Sequence, residues 1–257
     1  MLKLNNIYTS FNKGTVDEMS LFDDFSLSVD KGEFVSIIGS NGSGKTTLLN
    51  LICGSIFPDS GNVIFNEKDI TKIPEHKRAK FMGRVFQDPK LGTCPSLTIL
   101  ENMSLADNKN KRYGLSPAIN KKQINYYQSL LEECELGLEN RMNVPVGNLS
   151  GGQRQALALV IANMTQIDLL ILDEHTAALD PKSSEIIMNL TDKFVKKSGI
   201  TTMMVTHNLR FAVEYGSRLI MMHEGNCVVD IKGEEKQKAC VDDLLKIFNE
   251  ISIESGN

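Results

Sequence analysis

Apolar and polar residues alternate over residues 2–8, and again over Phe22–Val29, where Phe25, Leu27 and Val29 oppose Asp24, Ser26 and Ser28. Period-two alternation marks a half-buried strand, and Leu2, Leu4 and Tyr8 are assigned to one side of the first one. Phe34–Ile38 and residues 167–172 are nearly continuous apolar runs instead, as expected of strands covered on both faces. Further short strands are predicted at Asn62–Phe65, after the turn Phe57–Gly61, at Val85–Phe86, stopping at Gln87, and at Ile200–Val205. Arg218–His223 and Cys227–Ile231 read as a hairpin around Glu224-Gly225-Asn226. Helical stretches follow Thr47, run from Pro181 to about Lys197, from Asn208 to Tyr215 before Gly216, and from Val241 to Asn249.

From Lys90 to about Gln166 the strand-like runs stop. Thr98 with Glu101 three residues on is a helix-start signature, with a helix expected through Ala106. Ile124, Tyr127, Leu130, Leu131 and Cys134 share a helical face within Asn120–Glu135. The basic run Lys109–Arg112 is read as a solvated loop, with Gly114 and Pro117 as breaks. The expected organisation is one domain. It has an α/β core over about 1–88 and 167–231, a helical insert over about 89–166, and a short helix and tail at 232–257. That tail is too short for an independent core, so no separate regulatory domain is expected.

The richest chemistry lies at strand ends. Gly39-Ser40-Asn41-Gly42-Ser43-Gly44-Lys45-Thr46-Thr47 separates a buried strand from a helix and fits GxxxxGK[ST]. Its glycines allow amide N–H groups to converge, and the helix start adds its own, making a nest for phosphate oxygens. Lys45 is assigned to the outer phosphates and Thr46 to Mg²⁺. Asp173-Glu174 ends another apolar strand, where carboxylates can support a metal or polarise water. Taken alone, such a pair is as often two surface acids. Leu149-Ser150-Gly151-Gly152-Gln153 opens a long apolar helix and reads as a second anion site, with an ordinary N-cap as the plain alternative. His207 follows the run Thr202–Thr206, whereas His76, His175 and His223 are read as surface or loop residues.

Composition narrows the class. The net charge of -4 and pI near 5.7 disfavour a nucleic-acid partner. Cys53, Cys94, Cys134, Cys227 and Cys240 are five in number and form no CxxC, so reduced thiols and a cytoplasmic setting are expected rather than disulfides or zinc. No apolar run approaches a membrane span, and the N-terminus lacks the apolar block of a signal peptide. The eleven methionines are read as core filler.

GSNGSGKTT, Gln87, LSGGQ, LLILDE, the AALD at Ala177–Asp180 and His207 occur in the order of the ATP-binding cassette (ABC) ATPases, and the chain resembles that family over nearly all of residues 2–231. The resemblance implies a P-loop NTPase fold with a mixed core sheet, an antiparallel β subdomain and an inserted helical subdomain. It implies that Gly39–Thr47 wrap the phosphates of ATP and that Thr46, Gln87 and Asp173 serve Mg²⁺. It makes Glu174 the general base, assisted by His207, Lys45 and Gln87. It also implies that Ser150, Gly151, Gly152 and Gln153 cover ATP held by a second copy, with Asp180 joining the two sites. An aromatic near the start stacks on adenine; Phe11 fits best, ahead of Tyr8. The family usually has proline after the catalytic glutamate; here His175 stands there, and a looser Glu174–Asp180 loop is expected.

The chain further resembles bacterial cassettes for amino-acid uptake, including tyrosine or tryptophan. That implies membrane-embedded permease subunits, an extracytoplasmic solute-binding protein, and a place at the inner face of the membrane. An exporter subunit, a soluble non-transport cassette ATPase and a non-hydrolysing regulator stand as alternatives. Intact Glu174, His207 and LSGGQ weigh against the last.

Overall fold

The computed structural model describes residues 1–109 and 117–254, with residues 251–254 as backbone alone. In chain order it contains β1 (Leu2–Phe11), β2 (Met19–Val29), β3 (Phe34–Gly39), α1 (Lys45–Cys53), β4 (Ser60–Phe65), β5 (Lys68–Asp69), α2 (Glu75–Arg78) and β6 (Met82–Val85). After these come α3 (Ile99–Asp107), α4 (Ile124–Glu132), α5 (Gly151–Asn163), β7 (Leu169–Asp173) and α6 (Pro181–Ser198). Then follow β8 (Thr201–Val205), α7 (Leu209–Glu214), β9 (Arg218–His223), β10 (Asn226–Lys232), α8 (Glu234–Lys238) and α9 (Val241–Glu254). Two compact units are formed, Met1–Pro74 with Thr201–Asn257, and Glu75–Ile200.

In the first unit, β2-β1-β4-β5 form an antiparallel sheet. The pairing of β1 shifts between Leu4 and Ile7, where Asn6 (φ 48°) faces Asp24 (φ 58°) and donates from Nδ2 to its carboxylate at 2.6 Å. Such a bulge reverses which residues point inward. Ile7 and Thr9 are therefore buried, and Tyr8, expected beside Leu2 and Leu4, is exposed instead. Elsewhere in this unit β3 lies between β8 and β9, parallel to both, and β10 adds antiparallel to β9. All six residues of β3 are buried, as a strand flanked on both edges and covered on both faces requires.

The C-terminal helix packs on the body of this unit. Leu244 of α9 packs with Ala212 of α7 and with Ile38, Leu219 and Met221. The short α8 was not expected from its charged sequence. Its Lys236 is buried, and the amine donates to the carbonyls of Val213 and of Tyr215 (3.0 Å), satisfying acceptors that α7 leaves at its end.

In the second unit, β6 and β7 pair in parallel, Val85 opposite Leu172, and Phe86 falls just outside the strand. Leu169–Leu172 are wholly buried, each side chain contributing about 1.5–3 kcal/mol. A Cβ on Gly83 would lie 2.8 Å from the Ala162 carbonyl oxygen, so β6 runs hard against α5. Thr98 caps α3 in a full capping box with Glu101. On α4, Tyr127 and Leu131 are buried, with Cys134 just beyond, and the Tyr127 hydroxyl donates to Asp107 at 3.0 Å. Among the described residues of 89–163 there is no strand, only an isolated bridge between Thr98 and Pro145. Asn110, Lys111, Arg112 and Gly114 lie outside the described residues.

Candidate nucleotide site

The loop after β3 is shaped by three glycines. Gly39 has φ 155°, and a Cβ there would meet the Met222 carbonyl oxygen at 2.2 Å, so no other residue fits. Gly42 (φ 79°) and Gly44 (φ 100°) take left-handed conformations open to glycine at little cost. Gly44 precedes α1, and no side chain caps that helix. Its first-turn N–H groups thus lack intrahelical acceptors and sit at the positive end of the helix dipole. Lys45 is buried, and its ammonium donates to the carbonyls of Gly39 (2.8 Å) and Ser40 (2.7 Å) and to Ser43 Oγ (3.4 Å). The cation is thereby folded over the loop. Thr46 and Asn41 are exposed and Thr47 half-buried.

The β9–β10 turn braces this loop from behind. The Gly225 N–H donates to the Ser43 carbonyl at 3.1 Å, and His223 Nδ1 lies 3.5 Å from Ser40 Oγ. His223, read from sequence as an ordinary surface or loop residue, thus touches the loop itself. Ile37 pairs with Val205, so the loop after β3 and His207 after β8 leave the same edge of the sheet. His207 is exposed, and Asn208 beside it caps α7 by accepting from Phe211 N–H at 3.2 Å. Phe11 is half-buried at the end of β1, opposite Met19.

The second unit brings its own groups together. Asp173 ends β7, and Glu174 takes φ 47°, a strained conformation for a residue with a side chain. Arg84 on β6 donates from Nη2 to Asp173 Oδ2 at 2.7 Å. The other Asp173 oxygen and the side chain of exposed Gln87 make no hydrogen bond within the described residues. Thr46, Gln87 and Asp173 are all oxygen donors, the ligand type that Mg²⁺ prefers, and Asp173 and Gln87 still have an oxygen to offer.

His175 corrects an expectation. It is neither surface nor a loosener of its loop, because the residue is only 2% exposed. Thr191 Oγ1 donates to the Ile187 carbonyl at 2.8 Å, so it accepts from His175 Nε2–H at 3.2 Å, which fixes the tautomer. Burial lowers its pKa to about 4, so the ring is neutral near pH 7. Ser184 Oγ also donates to the Thr176 carbonyl at 3.1 Å. The segment after Glu174 is therefore tied to α6 at two points. Asp180 caps α6, accepting from Ser183 N–H at 3.0 Å, and the Ser183 hydroxyl and amide hold its carboxyl below the usual range.

Ser150 is an N-cap in full. Its Oγ accepts from Gln153 N–H, and Gln153 Oε1 accepts from Ser150 N–H, each at 3.2 Å. Gln153 also accepts from Arg141 (3.1 Å) and donates to the Leu136 carbonyl (3.2 Å), so its side chain is spent on positioning the turn. Ser150 and Gly151 remain exposed. A Cβ on Gly152 would meet Ser183 at 3.3 Å, setting the α5 start close to α6. One turn further, the buried Gln155 donates to the Phe86 carbonyl at 3.1 Å, just before Gln87. Arg84 and Gln155 were not singled out from sequence. The available signal was a charged residue in a short buried strand and an amide in an apolar helix.

Comparison with known proteins identifies the family. The family model described as ABC transporter matches residues 22–177. The chain is 47% identical over 248 residues to the tyrosine transport ATP-binding protein of Clostridioides difficile (strain R20291), covering 96% of this chain and 98% of that protein. It is 30% identical to the xylose/arabinose import ATP-binding protein of Sulfolobus acidocaldarius, over 96% and 94% of the two chains. Among solved structures it is similar to a dimeric ATP-binding cassette in a post-hydrolysis state bound to ADP and Pi. That match has TM-score 0.76 and 32% identity and covers 90% of this chain and 98% of the other. It is also similar to the ADP conformation of an ATP-binding cassette of an ABC transporter, with TM-score 0.80, 28% identity and coverage of 100% and 99%.

Proposed function

Because the chain belongs to the ABC transporter family, as an ATP-binding and ATP-hydrolysing subunit, we propose that it energises uptake of tyrosine or a closely similar amino acid. The observation behind the solute is the near full-length 47% identity to the tyrosine transport ATP-binding protein of Clostridioides difficile. Permease subunits cross the membrane in this reading, and an extracytoplasmic protein delivers the solute to them. No helix among the described residues is long and apolar enough to cross a membrane.

Each residue takes, in this reading, the role that the family resemblance implies for it. The Gly39–Thr47 amides and the α1 start receive the phosphates of ATP, and Phe11 stacks on adenine. Lys45 has three protons, and its contact to Ser43 Oγ, longer at 3.4 Å than those to the Gly39 and Ser40 carbonyls, is the one to yield to a phosphate oxygen. Thr46, Gln87 and Asp173 offer oxygen atoms to Mg²⁺, which supplies positive charge against the phosphates. Glu174 accepts the proton of the attacking water as it adds to the terminal phosphorus. His207 orients that water and donates to a phosphate oxygen. The terminal P–O bond breaks, leaving ADP and inorganic phosphate. Exposed Ser150 and Gly151 cap the nucleotide of a second copy: the Ser150 oxygen is engaged by Gln153 N–H, but its proton is available to a phosphate. Two copies thus complete two sites, and Asp180 joins them.

Uptake of labelled tyrosine by cells lacking the gene, complemented with the unmodified chain or with Lys45→Ala, tests the assignment. Tyrosine uptake restored by the unmodified chain alone, and competed by unlabelled tyrosine far better than by leucine or xylose, supports it. Restoration of sugar uptake with no tyrosine uptake would overturn the solute.

A further inference from the structure

Arg84 is a charged residue on a four-residue strand whose other members are buried. Its side chain is 13% exposed and that of its partner Asp173 is 15% exposed, so this ion pair is largely shielded from water. The guanidinium holds one carboxylate oxygen, Oδ2, at 2.7 Å, while the other is left without a protein hydrogen bond. The same guanidinium lies over the Phe86 ring, 4.8 Å from its centroid. Phe86 in turn is held by its carbonyl, which accepts from buried Gln155. Arg84 therefore fixes the side chain of Asp173 and the root of Gln87 at once. Each of those two groups has an oxygen atom still to offer.

We infer that Arg84 is a positioning residue for the divalent cation, acting through Asp173 and Gln87. The inference rests on the metal assignment proposed above. A carboxylate at a strand end can rotate about two side-chain bonds. With one oxygen bound by a guanidinium, those rotations are stopped and the second oxygen is presented in a fixed direction. Cation–π contact with Phe86 prevents Arg84 itself from swinging away. Lysine would keep the charge but has neither the planar fork nor the face that stacks on a ring, so it should substitute only in part.

The test measures metal binding without turnover. Mn²⁺ is titrated by electron paramagnetic resonance into full-length Glu174→Gln protein carrying a non-hydrolysable ATP analogue, with protein in excess so that all nucleotide is bound. Arg84→Gln should raise the Mn²⁺ dissociation constant about tenfold, the usual scale for groups that orient a metal ligand. Nucleotide binding in EDTA should change less than about twofold, and Arg84→Lys should fall between the two. In an Asp173→Asn background Arg84→Gln should add little further loss, because the two residues act as one unit. Phe86→Leu, which leaves the ion pair in place, gives a second route: it should weaken Mn²⁺ binding by a smaller factor. Unchanged or tighter Mn²⁺ binding in both Arg84→Gln and Phe86→Leu overturns the inference while leaving the site assignment standing. Absence of nucleotide-dependent Mn²⁺ binding in the unmodified chain overturns both.

Discussion

Buried His175 makes a quantitative statement about stability and pH. The ring has an ordinary pKa near 6.5 when the chain is unfolded, and burial lowers it to about 4 in the folded protein. Between these values the unfolded chain binds a proton that the folded chain refuses, so stability falls as pH drops from about 6.5 and levels off below about 4. Between pH 7.5 and 4.5 this one group should remove about 2–3 kcal/mol. Other acids and histidines titrate in the same window, so the readout is a difference. Urea unfolding of the unmodified chain and of His175→Met is followed at pH 7.5, 6.0 and 4.5. Methionine fills similar space, carries no proton and is a tolerant core residue. The variant is expected to be less stable at pH 7.5, having lost the Thr191 contact, and to show the shallower decline towards pH 4.5. Parallel declines in the two proteins would falsify the buried, neutral ring.

Other consequences are more local. Gly39→Ala forces a Cβ to within 2.2 Å of the Met222 carbonyl oxygen; ATP binding measured by calorimetry should fall below detection while the far-ultraviolet circular dichroism spectrum stays that of the folded chain. Ser150→Ala removes the α5 cap, costing about 1 kcal/mol in urea unfolding, and should lower ATP turnover far more than that loss of stability explains. Thr191→Val leaves the His175 Nε2–H buried without its acceptor, with an expected destabilisation of about 1–3 kcal/mol at pH 7.5. Phe11→Ala should weaken ATP affinity while sparing the inorganic-phosphate contacts, so affinity for ATP and for a ribose triphosphate lacking the base should converge.

Much of this was legible because the informative residues follow strands and helices with strong local patterns. Continuous apolar runs located β3 and β7, and therefore located Gly39 and Asp173 at their ends. Thr98 with Glu101 announced the start of α3, and Pro181 after Asp180 announced that of α6. What escaped depends on contacts distant in sequence. The bulge at Asn6 needs its partner Asp24, so alternation alone put Tyr8 on the wrong side. His175 is buried by α6, sixteen residues later at Thr191, and a histidine outside a periodic run carries no sign of that. Lys236 sits in a run of charges, yet it closes the end of α7. Arg84, Gln155 and Arg141 reach Asp173, Phe86 and Gln153 by hydrogen bonds that no spacing rule anticipates.

Gly39–Thr47 of one copy and Ser150–Gln153 of another are proposed to complete a single ATP site, with Glu174 as base. The most direct measurement is the mass of Glu174→Gln protein by light scattering, with and without ATP and Mg²⁺, alongside its turnover. A dimer that forms only with ATP, holds two nucleotides and turns over at least about 100-fold more slowly than the unmodified chain is the predicted result. A monomer fully occupied by ATP, or near-normal hydrolysis by the variant, would contradict it.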